Sequence, residues 1–166
     1  MKFRITLRNQ ISALGGLTSF TIIVIIAVWL LGVNDGFDPE LFIFFAIFYL
    51  ANLISVLFIH FQYYNANKGT VFSIEIDKAQ FIFNINNTIK TISFSEIQEV
   101  DIYMLPSVYR GSNFQLLPFE QYHCAIIYTQ NEKLIITSLV VRNIVKEFNN
   151  LGIKIIKRKC FYPYIR

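Results

Sequence analysis

The sequence predicts a membrane-anchored α+β protein: a two-helix transmembrane hairpin, then a small antiparallel β-barrel or sheet with one amphipathic helix. Three observations carry this. The 166 residues are 54% hydrophobic and only 16% charged, where an average soluble domain is about 25% charged. The charges are also segregated, leaving two long stretches without any. Beyond the second stretch, apolar residues alternate with polar ones, which is the period of strands. High hydrophobicity with low charge also excludes a disordered chain.

Lys2, Arg4 and Arg8 open the chain, and no Asp, Glu, Lys or Arg follows from Asn9 to Asn34. Asp35, Asp38 and Glu40 form an acidic link before a second uncharged run from Leu41 to Asn67. Crossing about 30 Å of hydrocarbon takes roughly 20 apolar residues. One helix is therefore expected at about 14–33 and another at about 41–61. The Leu, Ile, Phe and Val residues of the second favour insertion by roughly 4 to 9 kcal/mol. The short link makes the pair a hairpin. Basic residues flank it on one side only, so both termini are expected in the cytoplasm, with the acidic link outside. The first run is too long for the core of a signal peptide.

Within the hairpin, Trp29 and the Tyr63–Tyr64 pair are expected near the interfaces. Gly15–Gly16 allows close helix contact. Asn52 lies in mid-span and is expected to hydrogen-bond, either inside the hairpin or to a partner helix. His60 falls at the cytoplasmic end.

Residues 1–66 thus form the hairpin and 67–166 a cytoplasmic domain. Strands are expected at 71–77, 81–85, 90–94, 99–104, 122–129 and 134–137. Asn86–Asn87 reads as a tight turn, because Asn tolerates positive φ. Val141, Ile144, Val145 and Phe148 recur at helical spacing. Thr137 or Ser138 is expected to cap that helix, and Gly152 to end it. An extended segment follows over 153–161.

Two N-terminal spans, a hairpin-rich strand run containing I-x-F-S-E-I-x-E-V (Ile92 to Val100) and a late amphipathic helix resemble bacterial membrane proteins with pleckstrin-homology-like domains. The resemblance is architectural and covers nearly the whole chain. One departure is the extended segment after the helix, where the usual fold ends. The resemblance implies a binding module for proteins, peptides or lipid head groups, and names no ligand.

The residues point away from catalysis. There is no P-loop, G-x-G-x-x-G, EF-hand or zinc spacing, and no cofactor or metal is expected. His123 is the one candidate base outside the hairpin. It neighbours Cys124 in an expected strand, so the two side chains point to opposite faces. Cys124 is expected to be a buried core thiol. Cys160 follows Lys157–Arg158–Lys159, whose charges could lower its pKa, but the expectation is an ordinary free thiol.

Two features suggest binding. The segment 105–121 is long, aperiodic and apolar. Either it folds over its own domain, or it meets a partner or the bilayer through Tyr109, Phe114 and Arg110. The second feature is Lys154, Lys157, Arg158 and Lys159, interleaved with aromatic residues: either ordinary charges on a solvated strand, or a surface that orients the domain on the membrane or meets an acidic partner. Such cations contribute about 1 kcal/mol each beside an anionic leaflet. The expected function is a non-catalytic module, anchored in a bacterial inner membrane, that binds a protein or lipid head group. The alternative is an accessory or immunity-type subunit acting through its spans. The expected partners are the bilayer and a protein or second copy. Nucleic acid is not expected, since the net charge is only +4 and no recognition helix concentrates it.

Overall fold

A computed structural model describes residues 1–34, 38–111, 117–149 and 151–165. It opens with a strand that periodicity did not signal, β1 (Lys2–Arg4). Two long helices follow, α1 (Leu7–Asn34) and α2 (Pro39–Asn67). Thr6 starts α1 by accepting from the Asn9 amide. Asp38 caps α2 through the Glu40 and Leu41 amides, with Pro39 in the first turn. Both helices are long and apolar enough to cross a membrane, by length and composition, and only 6% and 11% of their most apolar stretches is buried.

The helices run longer than expected. With 28 and 29 residues they reach about 42 Å and 43 Å. The added turns lie toward the domain. There Tyr63 and Asn67 continue the buried stripe that Val56 and Ile59 begin. The apolar part of the second run ends near Phe61, and Gln62, Asn65 and Asn67 beyond it carry no transmembrane signal although the helix continues. Tyr63 consequently lies inside the protein, edge-on to Tyr122 at 5.3 Å, and not at an interface.

Aromatic contacts hold the two helices together. Phe20 stacks on Tyr49 at 6.1 Å and tilts against Phe48 at 5.8 Å. The Thr21 and Tyr49 hydroxyls meet at 3.1 Å. Asn52 donates to the Phe48 carbonyl, one turn back in its own helix. The expected role of the glycine pair also changes. A Cβ on Gly16 would come within 2.7 Å of the Pro118 carbonyl oxygen. Gly16 therefore admits a domain loop, not the other helix.

Strands β2 (Thr70–Glu75), β3 (Gln80–Ile85) and β4 (Thr88–Ser93) form hairpins behind α2. Asn86 and Asn87 take φ of 49° and 70° between β3 and β4, as the turn requires. A short 3-10 turn over Phe94–Glu96 leads to β5 (Ile97–Met104). The one-turn helix α3 (Pro106–Tyr109) follows. Then come β6 (Cys124–Thr129), β7 (Lys133–Thr137), α4 (Ile144–Phe148) and β8 (Ile155–Lys159).

Among the described residues the strands make two four-stranded sheets, ordered β1-β2-β3-β4 and β7-β6-β5-β8, and no closed barrel. The sheet is not purely antiparallel either, because β8 lies parallel to β5. Phe72, Ile74, Phe81, Phe83 and Ile92 of the first sheet share a core with Val100, Ile102, Met104, Ala125, Ile127 and Ile136 of the second. Ile144 and Phe148 of α4 close it. That helix is shorter than expected, and its cap is Asn143, which accepts from the Lys146 amide at 3.1 Å. Thr137 ends β7 instead. Val141 is buried in the turn before the helix, so its apolar character there reflects the core and not helical period.

β1 pairs with β2 in the register Lys2↔Ser73 to Arg4↔Val71. The terminal amino group donates to the Ile74 carbonyl at 2.6 Å. Residues 2–4 therefore belong to the sheet, and the 1–66 and 67–166 units share it. Both helices form one excursion between neighbouring strands.

Candidate functional site

The outer face of the second sheet and the C-terminal tail enclose a groove of about 620 Å³. Its position follows from strand alternation. Val100, Ile102 and Met104 of β5 point to the core, so Tyr103 points out. On β6, Ala125 and Ile127 point in, and Cys124, Ile126 and Tyr128 line the groove. Lys133 of β7 pairs with Tyr128 in register and stands at the groove's side. The tail closes the other side. Tyr162 packs on Phe119 at 5.4 Å and donates to the Ser55 carbonyl of α2. The groove thus lies beside the base of the helical hairpin.

The four cations singled out in the sequence have different fates. Lys154 is paired with Glu99 at 2.8 Å, which holds that carboxyl below its usual range. Arg158 pairs with Asp101 at 2.6 Å. Asp101 is 3% exposed, so this charge is structural; removing one partner of such a pair leaves a buried charge unsatisfied. Lys159 lies 4.6 Å from the centre of the Tyr109 ring, a cation–π contact. Among the described residues, Lys157 has no carboxylate within ion-pair distance. At about 1 kcal/mol per cation, the segment offers an anionic surface roughly half the attraction its composition suggests.

Tyr109 and Lys159, chosen from separate stretches, come together. Arg110 is exposed one residue further on. Phe114 lies outside the described residues. Pro118, Phe119 and Glu120 are buried, so the described end of the long segment folds over its own domain. The groove residues Tyr103, Tyr128 and Lys133 escaped the sequence reading. The signal was available: β6 and β7 form a short hairpin, and its register places Tyr128 opposite Lys133.

His123 and Cys124 are not poised for chemistry. Burial pushes the Cys124 thiol up to about 11. Burial also raises Cys160, so its basic neighbours do not activate it, since the half-buried sulfur loses solvent. His123 is pushed down to about 4 by burial, against the Gln121 and Arg142 carbonyls. It is neutral at physiological pH. No group of three or more potential metal ligands occurs among the described residues.

The His123 shift has a measurable consequence. The unfolded chain takes up a proton near pH 6.5, the folded one only near 4. Stability is therefore fully present above pH 6.5 and falls as the pH drops. The loss levels off below 4 at about 3 kcal/mol. Denaturant unfolding between pH 7 and 4 should show this decline, and His123→Gln should flatten it. An unchanged slope in that variant would assign the acid sensitivity to other groups.

Two facing sheets with a late helix at their open end define a PH-like domain, here carrying a helical hairpin between its first two strands. A family model described as a PH domain matches residues 2–144, and the chain belongs to that family. The matched span runs from β1 to the first residue of α4, so it includes both long helices. Comparison with curated proteins and with solved structures finds no match. Domains of this family are in general binding modules.

Proposed function

We propose that the protein is a non-catalytic binding module, held by its helical hairpin at the cytoplasmic face of a bacterial inner membrane. The groove beside the hairpin receives an acidic, apolar segment of a partner protein. One observation supports the anchoring above others. β1 and β2 are hydrogen-bonded neighbours, yet the whole hairpin lies between them in sequence. Both ends of the hairpin are thereby tied to one domain, so both sit on the same side of any bilayer it crosses. Leu41, Phe42, Ile43, Phe44, Ile47 and Ile54 are among the exposed side chains of α2. In water such a surface is strongly unfavourable. For the groove, aromatic walls with Lys133 and Lys159 favour a ligand both apolar and negative.

Cysteine labelling tests the arrangement. In a background lacking Cys124 and Cys160, Glu40→Cys should react with an impermeant maleimide added outside intact cells. Lys78→Cys should react only after lysis, and carbonate washing should not release the protein. Release by carbonate sinks the anchoring. Labelling of Lys78→Cys in intact cells reverses the orientation.

A further inference from the structure

A second cavity, of about 210 Å³, lies apart from the groove. The first turns of α1, the chain around Gln121 and the turn after β7 form its walls. Asn9, Ser12, Glu120, His123, Ser138 and Arg142 give it a polar lining. Tertiary contacts hold these groups in place. The Asn9 amide donates to the Leu139 carbonyl at 3.1 Å, and His123 Nδ1 lies 3.1 Å from the Gln121 carbonyl. The Ser138 amide donates to the His123 carbonyl at 2.9 Å.

Glu120 is the outlier. It is 5% exposed. Its Oε1 accepts from the Leu117 amide at 3.0 Å. Its Oε2 is shielded from solvent and has no hydrogen-bond partner among the described residues. A buried acceptor left unpaired is costly, and more so on a charged group. The bases lining the cavity do not compensate it. His123 is neutral, and Arg142 is exposed at the rim, without an ion pair among the described residues. A carboxylate with one unpartnered oxygen thus lines one small cavity, beside a guanidinium without an ion pair among the described residues.

We propose that this cavity binds a phosphoethanolamine group, with the ammonium on Glu120 and the phosphate on Arg142. An ammonium carries three N–H donors. Glu120 Oε2 takes one, and the Ser12 and Ser138 hydroxyls are acceptors in the same lining. A guanidinium matches phosphate through parallel N–H donors. The volume is below the usual range for drug-sized ligands, which suits a head group. Oε2 has no accessible surface of its own, so the Glu120 carboxyl group must turn toward the cavity it lines for the ammonium to reach it. The α1 wall, at Asn9, Ser12 and Ala13, is where the uncharged stretch begins. In a hairpin that spans a bilayer, this is head-group depth. The lipid source rests on the anchoring proposed above; the ammonium and phosphate chemistry does not.

The test uses the full chain in detergent, offered equal amounts of phosphatidylethanolamine, phosphatidylcholine and phosphatidylglycerol. Native mass spectrometry counts the retained lipids. Phosphatidylethanolamine should be retained about ten-fold over phosphatidylcholine, whose methylated ammonium has no N–H to donate. Glu120→Gln should abolish the preference, and Arg142→Gln should lower retention of both lipids, since both carry the phosphate. Arg142 is exposed, so its variant keeps the test open if Glu120→Gln fails to fold. Free O-phosphoethanolamine is scored separately by the shift in unfolding temperature. A shift without lipid preference supports the site and assigns a soluble ligand. Equal retention of the two lipids together with no shift overturns the proposal, as does phosphatidylethanolamine retention unchanged by Arg142→Gln.

Discussion

Phe72→Ala should cost about 4 kcal/mol, the largest loss expected from a single substitution here. Phe72 is fully buried on β2. Its ring meets Phe83 at 4.9 Å, Phe81 at 5.2 Å, Phe148 at 6.0 Å and Phe3 at 6.2 Å. It therefore joins β1, β2, β3 and α4 at one point. Truncation leaves a cavity that rigid strands on both sides cannot collapse. Denaturant unfolding in detergent, followed by circular dichroism, measures the loss. Phe3 packs on Phe72 from β1, so the variant should also expose Arg4 to limited trypsin cleavage. A loss below about 1 kcal/mol would mean that the site repacks and that this ring cluster is not the centre of the core.

Asn67→Leu should cost about 3 kcal/mol, although Leu is apolar and the site is buried. Asn67 is 2% exposed at the end of α2. Its Nδ2 donates to the Ile135 carbonyl and its Oδ1 accepts from the Thr137 amide, both at 2.8 Å. One side chain thus satisfies two backbone groups of β7, as a neighbouring strand would. Leu leaves both unpaired, and burial prevents water from replacing Asn67. Hydrogen exchange should rise at the Thr137 amide more than at amides of β2 and β3. Equal protection in the variant would show that another group covers the β7 edge. Asn67 also carries mechanical weight, since it fixes the domain to the helix that leads into it.

Much of the architecture was readable along the chain. The uncharged runs located the helices because cost in hydrocarbon depends on composition alone. The Asn86–Asn87 turn was readable because left-handed backbone suits Asn. The alternation of Phe81, Phe83 and Ile85 marked β3 and its inner face, though Ile85 proves exposed at the strand's end. Strand β1 was not readable. It is three residues long, and its reason to be extended is the edge of β2, far away in sequence. The end of α4 was nearer the mark than its start, because Val141 is buried by the core ahead of the helix.

The binding surfaces divide in the same way. Lys154, Lys157, Arg158 and Lys159 stand out as a charged run, but the run does not say which charge is already taken. Glu99 and Asp101 come opposite them only through the parallel β5–β8 pairing. Tyr109 was visible as an apolar anchor, and Lys159 turns out to be its partner. Glu120 carries no signal in the sequence, because one acid in a loop is ordinary. Its burial and its unpaired oxygen exist only once α1, the loop and the turn after β7 assemble.

By itself the sequence determined the hairpin, the strand-rich domain behind it and the absence of familiar catalytic motifs. These depend on composition and on periods of two and 3.6 residues, which neighbouring positions carry. The tertiary structure decided that β1 completes the first sheet, that the sheets stay open, and that β8 runs parallel to β5. It also decided which cations are paired and where one carboxylate oxygen is enclosed without a partner among the described residues. Each of these depends on which distant edge or charge is nearest in space, and that distance is set by the packed core.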